Sequence, residues 1–344
     1  MGRLIRGLAA EGNLRVLAAD TTDITEEARR RHGLSATATA ALGRAMTGGL
    51  LLAFLLSKTP RERVGLRFDG DGPLGGLIVD AGPDGSVRAY AKNPQAEIPL
   101  RADGKLNVGG LVGKGQLRVN RALSNGEIYD SSTELVSGEI AEDLAHYLWQ
   151  SEQVPSAVLL GVRVYGDGSV QVAGGVIIQV MPEAPQAVID ALEANLSRVG
   201  GITPLLAEYG MERTVELLLQ GLDYQRTDLT ALGFKENSIP LQFQCTCSQQ
   251  KALEALVFFD RSEREDMIAK DGGAEAVCHW CNERYWITPP EIRSLAEPST
   301  GKEVRCPDCG RLWYFQTAEG LEVHHDGESC TCGRAVRLSE APQA

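Results

Sequence analysis

All eight cysteines of this 344-residue chain lie beyond residue 240, and they fall into four close pairs. Cys245-Thr246-Cys247 is followed, after 30 residues, by Cys278-His279-Trp280-Cys281. Cys306-Pro307-Asp308-Cys309 is followed, after 20, by Cys330-Thr331-Cys332. The order is CxC…CxxC and then CxxC…CxC. Each cluster offers four thiolates, the number that closes a tetrahedral Zn²⁺ site. A secreted disulfide scaffold is small, loop-rich and bridged throughout, whereas here a long cysteine-free body precedes the clusters. Two Zn²⁺ sites are expected: one on Cys245, Cys247, Cys278 and Cys281, the other on Cys306, Cys309, Cys330 and Cys332.

Charge narrows the partners. The net charge is −12, which opposes a duplex nucleic-acid binder or a polybasic membrane-surface protein. Residues 301–344 carry five Lys/Arg against seven Asp/Glu, so the aromatic run Leu312-Trp313-Tyr314-Phe315 reads as a small core and not as a nucleic-acid platform. No apolar stretch is expected to reach the ~20 residues of a spanning helix, and the N-terminus lacks an apolar leader, so a cytoplasmic protein is expected.

The body reads as α+β. Asn13–Ala19 is a strand, Asp23–His32 a charged helix stopped by Gly33, and Ser35 the N-cap of a long helix to about Leu56. Gly48-Gly49 weaken that helix, which points to close packing on a neighbour. Leu50–Leu56, its greasiest run, reads as core, with client contact as the alternative once uncovered. Hairpin signals follow around Pro83-Asp84-Gly85, Ser124-Asn125-Gly126 and Gly166-Asp167-Gly168. Glu139–Ser151 is an amphipathic helix, as are Ala187–Val199, Pro204–Tyr209 and Met211–Leu219. The expected organisation is an antiparallel-sheet and helix core over 1–185 and a helical linker region over 186–240. A zinc module over 241–297 and a second, ribbon-like extension over 298–344 complete it. Gln220–Pro240 reads as a weakly folded connector. Thr288-Pro289-Pro290-Glu291 carries the marks of a helix start.

Zinc keeps its ligands as thiolates, and thiolates are the nucleophiles that peroxide attacks. Oxidation gives a sulfenic acid that condenses with a nearby thiol, which removes the ligands. Structural zinc contributes roughly 10–16 kcal/mol of apparent folding free energy in small modules, so a segment with little other core unfolds when it is lost. A structural clip that stays reduced is the plainer alternative. A thioredoxin-like CxxC would open a helix after a strand, whereas Cys281 is followed by a strand-like Asn282–Ile287. His279 reads as a solvated knuckle residue. His324 and His325 are spare donors beside a cluster that already has four cysteines.

The chain resembles the 33 kDa chaperonin family of redox-regulated bacterial holdases. The likeness rests on Cys245-Thr246-Cys247-Ser248 with a CxxC some thirty residues on, before a Tyr/Trp-rich strand. In the body it rests on Phe68–Leu74, Tyr90–Pro94, Gly113-Lys114-Gly115, Tyr147–Pro155 and Gly174–Pro182, and it covers roughly residues 1–297. The resemblance implies a binding protein and not an enzyme: zinc-bound and inactive when reduced, and an ATP-independent holdase for unfolding clients when oxidised. It implies Cys245, Cys247, Cys278 and Cys281 as ligands, disulfides Cys245–Cys247 and Cys278–Cys281 on oxidation, and a homodimer when active. The family pattern ends near residue 297, and the second cysteine cluster is an addition to it. Two other functions keep to the same residues: a thiol-disulfide oxidoreductase, and a zinc-ribbon adaptor that loses its partner on oxidation.

Overall fold

Side chains alternate along the central strands, so one large sheet feeds two apolar layers. Leu4, Leu17 and Ile177 face one layer; their neighbours Ile5, Val16, Ala18, Val176 and Ile178 face the other. The computed structural model describes residues 2–228 and 238–295, and the backbone of 303–305, 312–317 and 320–322. Two units separate by contact, Met1–Gln244 and Cys245–Ala344.

In the first unit the order is β1 (Gly2–Ala9), β2 (Leu14–Asp20), α1 (Thr22–His32), α2 (Ala36–Leu56), β3 (Arg63–Gly70), β4 (Leu77–Ala81) and β5 (Ser86–Ala91). Then come α3 (Val108–Val112), β6 (Gly115–Ala122), β7 (Ile128–Glu134), α4 (Ala141–Gln150), β8 (Ser156–Val164) and β9 (Val170–Val180). The unit closes with α5 (Gln186–Arg198), α6 (Ile202–Leu218), β10 (Gln225–Arg226) and β11 (Ile239–Phe243). Among the described residues the sheet runs β7-β6-β3-β4-β5-β11-β1-β2-β9-β8, with β10 paired to β1. Neighbours are antiparallel except β11 and β5, where Gln242 and Phe243 lie parallel to Ser86 and Val87. The α+β class expected from the sequence is the class observed.

The first layer is built on α2. Ser35 caps it by accepting from the Ala38 N–H, and Leu50, Leu51, Leu52 and Ala53 are fully buried. Phe54, Leu55 and Leu56 pack against the same core. Small residues permit the fit: a Cβ on Gly48 would stand 2.3 Å from Leu144 Cδ1, and one on Gly49 2.9 Å from Val79 Cγ1. One expectation needs correcting. At 21 residues and a mean hydropathy of 1.5, α2 is long and apolar enough to cross a bilayer. Thr37, Thr39, Arg44 and Thr47 interrupt the run that a search for continuous apolar sequence looks for. The helix is nevertheless core, with 78% of its apolar window buried in protein and Arg44 paired to Glu139 at 2.7 Å.

The second layer lies between the β1-β2-β9 face and α5 and α6. The two short helices read from the sequence are the two halves of α6, divided at Gly210, whose φ of 72° and ψ of 178° break the helix. Of the connector expected over Gln220–Pro240, residues 229–237 lie outside the described residues, and the two ends are more firmly placed than expected. Leu222 is buried in the second layer, Gln225 and Arg226 pair with Leu8 and Gly7, and Ile239 and Leu241 are buried in the first layer. A two-residue strand and a strand interrupted by Pro240 are too short for alternation to be read.

Candidate metal centre

The second unit is thin. It contains α7 (Gln249–Ala255), α8 (Arg261–Asp271), β12 (Ala274–Val277), β13 (Arg284–Ile287), α9 (Pro289–Arg293) and a ribbon of β14 (Glu303–Arg305), β15 (Leu312–Thr317) and β16 (Gly320–Glu322). Its described core holds three fully packed apolar side chains, Leu256, Ile287 and Ile292. Local polar devices hold the helices. Ser248 accepts from the Lys251 N–H, and Asp260 and Glu263 cap α8 reciprocally. Thr288 donates its N–H to Glu291 at 2.7 Å, the helix start expected from the sequence. Arg293 grips Glu265 through two bonds of 3.0 Å, tying α9 to α8.

The two cysteine pairs are positioned by different means. Cys245 and Cys247 occupy extended chain just before the Ser248 cap of α7. Cys278 and Cys281 form the turn between the antiparallel strands β12 and β13. There the Cys278 N–H donates to the Glu283 carbonyl at 2.9 Å and the Asn282 N–H to the Cys278 carbonyl at 2.7 Å. Asn282 adopts φ 58°, a left-handed conformation that asparagine tolerates better than most residues. The turn presents both sulfurs on one side. It is no helix N-terminus, so the setting of a thioredoxin-like CxxC is not found here.

All four Sγ atoms lie within 4.8 Å of one another. Cys245 and Cys278 are 3.7 Å apart and Cys247 and Cys281 are 3.3 Å apart. A tetrahedron with ~2.3 Å zinc–sulfur bonds has sulfur–sulfur edges of about 3.8 Å, so the arrangement fits a Zn²⁺ ion. None of the four is disulfide-bonded; Cys281 is buried and the other three are half-buried.

The electrostatics point the same way. A hydrogen bond from the Cys278 thiol holds Cys245 well below the ordinary thiol range, against the opposing effect of burial. The same bond, aided by burial, pushes Cys278 up. Burial pushes Cys281 up to about 12. One thiolate is thus stabilised by neighbouring S–H donors, while burial and like charge oppose further ionisation; a dication at the centre removes that opposition. Tyr285 donates its hydroxyl to Cys247 at 3.2 Å, and this bond pushes the phenol up.

The structure therefore brings Cys245, Cys247, Cys278 and Cys281 together as a set able to hold a metal ion. His279 is exposed. Cys306, Cys309, Cys330 and Cys332, with His324 and His325, lie outside the described residues. Sequence reading missed Tyr285. Its signal was the alternation of β13, where Tyr285 and Ile287 turn inward while Arg284 and Trp286 face out.

The Hsp33 protein family matches residues 2–288. A 33 kDa chaperonin of Thermus thermophilus is 65% identical over 346 aligned positions that span the whole of both chains. A 33 kDa chaperonin of Deinococcus radiodurans is 46% identical over 303 residues, covering all of that chain and 88% of this one. The crystal structure of the 33 kDa chaperonin (heat shock protein 33 homolog) of Thermotoga maritima superposes with a TM-score of 0.76 at 34% identity, over 85% of this chain and 96% of that one.

Proposed function

Since the chain belongs to the Hsp33 family of 33 kDa chaperonins, we propose that its chaperone activity is switched by the oxidation state of Cys245, Cys247, Cys278 and Cys281. In the reduced state the four thiolates hold one Zn²⁺, which supplies the cross-link between the extended 245–247 segment and the β12–β13 turn. A hydroperoxide takes electrons from the sulfurs. Four thiolates and two peroxides give two disulfides and four hydroxide ions, and the metal is released. The described part of the module then keeps a small apolar cluster, three buried side chains at about 1.5–3 kcal/mol each with partly buried neighbours packed on them. Structural zinc in small modules contributes roughly 10–16 kcal/mol, so losing it unfolds the segment.

The proposed bridges are Cys245–Cys247 and Cys278–Cys281. In the folded cluster the shortest separations run across the two motifs, Cys245 to Cys278 and Cys247 to Cys281. Once the segment loosens, a bridge within a motif closes a loop of three or four residues, whereas a crossed bridge closes one of about thirty-four. Chain entropy then favours the local pairs, against the strain of a bridge across the CxC motif.

The oxidised protein binds unfolding clients as a binding protein, without ATP, as a homodimer in the cytoplasm. The extension carries a second Zn²⁺ on Cys306, Cys309, Cys330 and Cys332. The observation that carries the reading is a four-sulfur cluster set in a module whose described residues bury a small apolar core, three side chains with partly buried neighbours. The test is light scattering of a heat-denaturing client. Protein pre-treated with peroxide should suppress aggregation stoichiometrically, and reduced protein should not. Suppression that is equal in both states, or catalytic turnover of insulin disulfides, would refute it.

A further inference from the structure

The geometry points to Tyr285 as a positioning residue that sets how fast the cysteine cluster reacts with oxidant, by donating its hydroxyl to Cys247. The inference rests on the metal-switch reading and adds to it the control of its rate. Tyr285 is carried by β13, whose register against β12 is fixed by four residue pairs from Ala274–Ile287 to Val277–Arg284. Its side chain turns inward, and its hydroxyl lies 3.2 Å from Cys247 Sγ. Cys247 comes from the other cysteine motif, 38 residues away in sequence, so the bond joins the two halves of the site.

The chemistry follows from where the electrons go. In the oxidising step a lone pair on the Cys247 sulfur attacks a peroxide oxygen. An S–O bond forms, the O–O bond of hydrogen peroxide breaks, and hydroxide departs, which leaves a sulfenic acid. The sulfenic acid then condenses with a second thiolate, forming S–S and expelling a second hydroxide. An O–H donor on the sulfur draws density from the attacking lone pair and stabilises the thiolate more than the neutralised transition state. It therefore slows oxidation. The same withdrawal makes Cys247 a weaker metal donor, so the bond loosens the metal while protecting the sulfur.

These opposite effects give the test. In full-length protein, Tyr285→Phe keeps the ring and removes the O–H. The O–H holds the ground-state sulfur more strongly than the transition state, so its loss should accelerate peroxide-driven zinc release about three- to tenfold. Zinc release to a chelator, without oxidant, should be unchanged or slower. The Co²⁺-loaded variant should show its sulfur-to-cobalt charge-transfer band at lower energy than wild type. A tyrosine that merely braces the fold would give faster release in both assays, and that result, an unchanged peroxide rate, an unmoved band or a variant unable to load metal overturns the assignment. Wild-type protein that gives up no zinc to peroxide would sink the switch reading itself, and the assignment with it.

Discussion

Cys247 and Cys281 are 34 residues apart in sequence, and their sulfurs are 3.3 Å apart. That closeness joins an extended segment to a hairpin turn, and among the described residues of the unit the fully buried apolar cluster is Leu256, Ile287 and Ile292, with partly buried neighbours such as Leu253, Met267 and Ile268. In the proposed reading, a metal held by the four sulfurs cross-links the 245–295 segment. Removing any one ligand should release the whole of it.

Cys278→Ser should abolish stable zinc binding at this site. Losing a supporting contact outside the ligand set already costs about 10–100-fold in metal affinity, and losing a ligand costs more. The segment around β12 and β13 should be unfolded in the variant even under reducing conditions. Zinc counting with a colorimetric chelator, alongside amide exchange, checks both. A variant with wild-type zinc stoichiometry would remove Cys278 from the ligand set.

In the body, the buried carboxylate of Asp143 should be among the costliest single sites. It accepts from the N–H groups of Val136, Ser137, Gly138 and Ile140 at 2.8–3.2 Å. It thereby holds Ile140 at φ 72°, a left-handed conformation that a β-branched residue adopts only under constraint. Asp143→Asn places an N–H₂ where an acceptor is needed. We expect a loss of about 3 kcal/mol in denaturant unfolding, with Glu142→Gln within about 0.5 kcal/mol of wild type.

Gly43→Ala should also destabilise, although alanine is the better helix former. A Cβ there would lie 2.6 Å from Thr25 Cγ2 and 2.9 Å from Val162 Cγ2, both on stiff β-branched side chains. Overpacking of this kind costs about 1–3 kcal/mol against a propensity gain of about 1 kcal/mol. A higher denaturation midpoint in the variant would show that α1 and β8 yield easily.

The acid limb of stability should respond to Glu26. The hydrogen bond from Arg29 holds its carboxyl below the usual carboxylate range. The Val170 N–H and the charges of Arg29 and Arg30 add to that against the opposing effect of burial. A depressed folded pKa stabilises above the unfolded value of about 4.3, and the contribution is lost as pH falls through the folded value. Glu26→Gln should therefore cost about 0.5–1 kcal/mol at pH 7, given partial solvent screening, and should flatten the decline of stability below pH 4.3. An unchanged acid limb would mean that the Glu26–Arg29 bond contributes nothing in solution.

Much of this was legible in the sequence, because the signals were local. Ser35 and Thr288 marked helix starts, Gly33 a helix end and Gly48-Gly49 a close approach, each set by chemistry within a few residues. Cysteine spacing pointed to Cys245, Cys247, Cys278 and Cys281, which the fold brings within 4.8 Å of one another. Non-local pairing was not legible. Nothing in Ile239–Phe243 announces a strand between β1 and β5, since its partners are more than 150 residues away. The inward face of Tyr285 was legible in the alternation of β13, but its bond to Cys247 was not. Its partner is in the other motif, and only the folded hairpin brings the hydroxyl to the sulfur.

The most direct test follows zinc release and amide exchange together in one peroxide time course on the reduced, zinc-loaded chain. Protection across Ala274–Val277 and Arg284–Ile287 should collapse in step with the released metal, while Leu14–Asp20 and Val170–Val180 stay protected. Metal that departs while the hairpin keeps its protection, or client binding that precedes any sulfur–sulfur bond, would contradict a fold held together by its four thiolates.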